Sequence, residues 1–82
     1  MNYLDSKILK AINTISPTSF VSATEVIDRV KLDKNELGDR LMVLKKSGHV
    51  DIITREFISS MTLPNFIVKV RITEQGQKAL KK

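Results

Sequence analysis

SATEVIDRVKLDKNELGDRLMVLKKSGHV, residues 22–50, is the stretch on which the fold turns. It holds two amphipathic helices in close succession. Ser22-Ala23-Thr24-Glu25 is a capping box, in which the serine oxygen accepts from the Glu25 amide while that glutamate reaches back. Ala23, Val26, Ile27 and Val30 follow at helical spacing and form one apolar face. The pattern stops at Lys31-Leu32. Asp33 then caps another helix, predicted over 33–47, with Glu36 three residues on. Its inner face is Leu37, Leu41 and Leu44, and Lys45 and Lys46 complement the macrodipole at its end. Gly48 is placed to close it in a left-handed conformation. Two short helices joined by two or three residues cross steeply as a helix-turn-helix, with Leu32 plugging the angle.

Upstream, Leu4, Ile8, Ile12 and Ile15 recur at helical spacing from Asn2 to about Ile15, with Leu9 and Ala11 widening the stripe. Asn2 or Asp5 caps this first helix, and Pro17 ends it by pushing Ser16 out of helical geometry. Downstream of Gly48 the period falls to two. Val50, Ile52 and Thr54 alternate with Asp51, Ile53 and Arg55; Phe66, Val68, Val70 and Ile72 alternate with Ile67, Lys69 and Arg71. These are the strands of a long hairpin over 49–72. Thr73 caps a last short helix from Glu74 to about Leu80. The fold class expected is mainly α with a β-hairpin.

Composition narrows the function. Eighty-two residues make one domain, 1–82. Without cysteine there is no disulfide, thiolate metal site or thiol nucleophile. A single histidine, three isolated glycines and scattered carboxylates leave no catalytic constellation, phosphate loop, metal site or cofactor site. The expectation is therefore not an enzyme. No apolar run approaches the roughly 18 residues of a membrane span, and Asp5 and the lysines interrupt any signal-peptide core, so the expected location is cytoplasmic. The net charge of +5 favours a polyanion as partner. Most of it falls late, on Lys69, Arg71, Lys78, Lys81 and Lys82 against Glu74, and a smaller excess lies on Lys34, Arg40, Lys45 and Lys46.

Two segments carry a resemblance. LDKNELGDRLMVLKKSGHV at 32–50 is similar to a recognition helix that runs through a leucine pair into its closing glycine, and VRITEQGQKAL at 70–80 is similar to the end of a wing followed by its terminal helix. In this order they resemble the stand-alone winged helix-turn-helix transcriptional regulators of bacteria and archaea, related to the MarR and PadR types. The resemblance spans nearly the whole chain. It implies a winged-helix DNA-binding domain with a three-helix core, a two-stranded wing and a short C-terminal helix. It further implies sequence-specific binding of double-stranded DNA, with helix 33–47 in the major groove and the 49–72 hairpin as wing, by a homodimer formed through terminal helices.

With Leu37, Leu41 and Leu44 buried, the opposite face of the recognition helix presents Asn35, Gly38, Asp39, Met42 and Lys46, flanked by Lys34 and Lys45. Asparagine suits adenine edges and lysine suits guanine or phosphate. Arg55, Lys69 and Arg71 are the hairpin cations expected on the DNA backbone, and His49 lies at the helix exit. The sequence departs from the family's DNA-binding pattern in three places. Asp39 and Met42 are poor phosphate partners, the tip 59–65 carries no cation, and the chain to Lys82 leaves no long C-terminal helix for dimerisation. Tyr3, Leu4, Leu9, Met61, Leu63, Phe66, Ala79 and Leu80 are the candidate dimer surface. The departures sustain an alternative, a winged-helix module that binds another protein without reading DNA.

Overall fold

Helix α3 (Lys34–Lys46) is the element around which the chain is arranged. The Asp33 carboxylate caps it, accepting from the amides of Asn35 at 2.7 Å and Glu36 at 3.2 Å. Leu37, Leu41 and Leu44 are sealed in the core, each contributing roughly 1.5–3 kcal/mol. The helix closes on Gly48, which takes φ 85°. Its amide donates to the Lys45 carbonyl while the His49 amide donates to that of Leu44, a Schellman closure that glycine adopts without a Cβ penalty. This computed structural model describes residues 2–55 and 65–81.

Helix α2 (Ala23–Val30) precedes it across Lys31, which adopts the left-handed conformation at φ 60°, and Leu32, which packs against the core. The Ser22 cap differs from the expected box. Its oxygen accepts from the Thr24 amide at 3.3 Å, not from Glu25, because the Thr24 hydroxyl lies 2.7 Å away and draws it over that position. Helix α1 (Tyr3–Ile15) is capped by Asn2, whose side chain accepts from the Asp5 amide at 2.8 Å. It inserts Ile8, Leu9 and Ile12 between α2, the sheet and the last helix.

The sheet has one strand more than the expected hairpin. Strands β1 (Val21–Ser22), β2 (Val50–Thr54) and β3 (Ile67–Ile72) pair antiparallel in the order β1-β3-β2, with Val21 opposite Val70 and Ser22 opposite Lys69. Two residues are too few for an alternation to register. The phase of β3 also differs. Ile53 lies opposite Lys69 but Thr54 opposite Ile67, so Val68 is an extra residue, a β-bulge that reverses the alternation beyond it. Ile67 therefore joins Val70 and Ile72 in the core, and Phe66 turns outward at φ 64°. Residues 59–64 of the uncharged hairpin tip, Met61 and Leu63 among them, lie outside the described residues.

Helix α4 (Glu74–Leu80) is tied to the exit of α3. The Thr73 hydroxyl donates to the Gly48 carbonyl at 2.6 Å and accepts from the Gly76 amide at 3.1 Å; the Gln75 amide donates to the Ser47 carbonyl at 3.0 Å. Gln77 reaches the other way, donating to the Pro17 carbonyl at 2.8 Å and the Asn13 side chain at 3.3 Å. The exit of α3 and the end of α1 are thus both held by α4 and its cap.

Candidate nucleic-acid interface

With three leucines inward, α3 leaves Asn35, Asp39 and Lys46 exposed along its outer side, with Met42 half-buried beside them. Lys34 and Lys45 are also exposed. Gly38 lies on the same side of the helix but is not open to solvent. It is buried, and the Asn65 side chain lies over it: a Cβ built there would sit 3.5 Å from Asn65 Cγ, 3.6 Å from Nδ2 and 3.7 Å from Oδ1. The helical wheel assigned Gly38 to the outside because no signal in the sequence brings residue 65 to it. Those distances are ordinary van der Waals contact, so Gly38→Ala should be accommodated and should raise stability by about 0.5–1 kcal/mol through helix propensity. Denaturant titration checks this; a loss of stability would mean that Asn65 cannot yield the space.

The hairpin cations separate into two groups. Arg71 stands opposite Asp51 across the strands, bonds its carboxylate at 2.7 Å, and lies 4.8 Å from the centre of the Phe20 ring. Its charge is already engaged. Lys69 is exposed on the same strand, and both residues alternate with the inward Val70 and Ile72, which places them on the outer side of the sheet. Arg55 lies elsewhere, at the tip end of the β2–β3 pairing, where its backbone amide donates to the Phe66 carbonyl at 2.9 Å. Thr54, Arg55, Asn65 and Phe66 together line a shallow cleft of about 420 Å³. Asn65, which lines it, also covers Gly38 of α3.

The other flank of α3 faces α1. There Arg40 donates from Nε to Asp5 Oδ1 at 2.8 Å and from Nη2 to Oδ2 at 2.7 Å, a two-pronged pair on a carboxylate only 7% exposed. The bond to Asp5 raises the arginine pKa above its ordinary value. Next to it a cleft of about 500 Å³ opens between α1, the exit of α3 and α4, lined by Asp5, Ser6, Val43, Leu44, Ser47, His49 and Ala79. His49 Nδ1 lies 2.6 Å from the Ser47 hydroxyl, which itself donates to the Leu44 carbonyl at 3.0 Å.

The expected dimer surface is reduced. Leu9 is fully buried and belongs to the core. Leu4, Ala79 and Leu80 are half-buried, Tyr3 is 81% exposed, and Phe66 is exposed at the tip end of the paired strands. Val43, absent from the sequence reading, is exposed at the rim of the α1–α4 cleft.

Comparison with solved structures shows the winged-helix fold. The chain superposes with a TM-score of 0.76 on BpsR of Bordetella bronchiseptica, whose DNA binding is regulated by 6-hydroxynicotinic acid, at 15% identity over 99% of this chain and 50% of that one. It superposes with a TM-score of 0.71 on BldR, a transcriptional regulator from Sulfolobus solfataricus, at 24% identity over 99% of this chain and 51% of that one. The chain spans about half the length of these two proteins. No protein-family model and no curated protein matches it. Among the described residues no helix is long and apolar enough to cross a membrane.

Proposed function

We infer that the chain is a DNA-binding transcriptional regulator in which α3 enters the major groove of a duplex and reads its sequence. One observation carries this: the exposed side of α3 is polar, with Asn35, Asp39 and Lys46 outward, in a fold shared with two regulators. Asn35 lies in the first turn, the part that meets base edges in helix-turn-helix proteins, and its amide matches adenine. Lys46 is nearly three turns later and serves to hold the backbone. Lys34, Met42 and Lys45 border that surface, and Asp39 accepts from a cytosine amine. Lys69 and Arg71 join the backbone contacts only if the duplex bends round the sheet, and Arg71 must first leave Asp51. The reading is of one cytoplasmic domain over 1–82, acting as a homodimer through α1 and α4, with Tyr3, Leu4, Val43 and Ala79 at the contact.

Selection from random duplexes at controlled salt tests the reading. A two-fold site is expected, its halves about 34 Å apart, one turn of DNA. With Arg40 and Arg71 already paired, about 3–4 phosphates are neutralised per protomer. Log affinity then falls against log salt with a slope near −3 to −4 per protomer. Asn35→Ala should cost about 1–3 kcal/mol and relax the preference at one base pair, whereas Lys46→Ala should weaken all sequences alike. Absence of binding to any duplex at low salt would favour the protein-interaction module instead, for which Asp39 and Met42 on α3 are the better surface.

A further inference from the structure

We propose that the cleft at the tip end of the paired hairpin strands is a phosphodiester site, in which Asn65 and Arg55 hold one backbone phosphate beside the recognition helix. The inference rests on the duplex-binding reading and deepens it, since no sequence signal marks residue 65. The cleft offers the right chemistry. Arg55 supplies an exposed guanidinium with no carboxylate partner among the described residues. Asn65 supplies an amide that makes no hydrogen bond among them, and Thr54 supplies a hydroxyl. The Phe66 ring, 41% exposed, gives an apolar wall against which a deoxyribose packs.

The site is also built. A bulky residue at φ 64° is unfavourable on its own, so the Phe66 turn is held by its surroundings. Among them is the bond from the Arg55 amide to the Phe66 carbonyl, which joins the two sides of the cleft. The Asn65 amide lies flat on Gly38, all three of its polar-end atoms within 3.5–3.7 Å of where a Cβ would stand. A flat contact fixes the plane of the amide, and among the described residues its N–H edge has no acceptor. Gly38 lies one helical turn from both Asn35 and Met42, so the donor stands on the wall of the groove that α3 enters. Side-chain amides and guanidinium groups at that place bond phosphate oxygens and set the register without carrying sequence.

The test measures affinity of the full chain for its selected duplex across a salt series, together with thermal melting. Asn65→Asp, isosteric but lacking the donor and adding a negative charge, is expected to weaken every duplex by roughly tenfold or more with the melting temperature unchanged. Arg55→Ala should weaken binding and reduce the magnitude of the salt slope by about one. A duplex carrying a neutral methylphosphonate at the contacted position should lose affinity for the wild-type protein and lose none further for the Arg55→Ala variant. If the wild type binds but Asn65→Asp matches it at every salt concentration, the cleft is not a phosphate site and the regulator reading stands. A change of preferred base with Asn65→Ala likewise overturns the proposal, because it would make Asn65 a base reader. Failure of the wild type to bind any duplex overturns both.

Discussion

Gly76→Ala is expected to destabilise the fold by about 3 kcal/mol, at the upper end of what overpacking costs. Gly76 is buried where α4 crosses the exit of α3, and a Cβ there runs into the His49 carbonyl and comes within 2.8 Å of Ile72 Cγ1. Neither neighbour can yield cheaply. The His49 carbonyl accepts the Thr73 amide at 3.1 Å, and Ile72 is a core residue of β3. Moving α4 away would break the Thr73 bond to the Gly48 carbonyl that seats it. A chain of this size has about 4–12 kcal/mol of total stability, so the loss is a large share of it. Urea titration of Gly76→Ala beside Gly38→Ala gives the comparison, since the first should lose and the second gain. A Gly76→Ala midpoint at the wild-type value would show that α4 does not approach this closely.

These two glycines mark where sequence reading succeeds and where it stops. The helices were legible because caps and periodicities are local: Asn2, Asp33 and Thr73 all cap as their residue types dictate. Even there a neighbour intervened, when the Thr24 hydroxyl drew the Ser22 oxygen away from Glu25. The strands were legible as an alternation until a bulge at Val68 reversed the phase. A bulge puts one extra residue into one strand and so flips the facing of those beyond it, and composition does not announce it. The surface of α3 was legible to within one position. The wheel placed Asn35, Asp39 and Lys46 outward, but Gly38 was hidden by Asn65, a contact between residues far apart in sequence. Charge was the least legible property. Arg40 and Arg71 counted toward a basic surface, yet each is bound to a carboxylate on another element.

Asp5→Ala should cost about 3 kcal/mol, within the range for breaking a mostly buried ion pair by removing one partner. Asp5 is 7% exposed in the first turn of α1, and both of its oxygens are taken by the Arg40 guanidinium. Removal leaves that cation partly covered and unpaired. The arginine pKa is raised by the pair, so its side of the bond persists at any pH below that at which arginine itself deprotonates. Alkaline pH therefore offers no relief. Arg40→Ala alone should cost at least as much, because it leaves Asp5, the more buried partner, without its counter-charge. In the double variant the losses should fall short of additive by 1 kcal/mol or more, the coupling of a two-pronged pair. The pair also joins α1 to the flank of α3 and so fixes the rotation of the outward residues. Asp5→Asn keeps the shape but releases the charge. Its salt slope for duplex binding should steepen by about one as Arg40 turns to a phosphate, while discrimination between duplexes falls. Strictly additive losses, with an unchanged slope in Asp5→Asn, would reduce the pair to an independent surface contact.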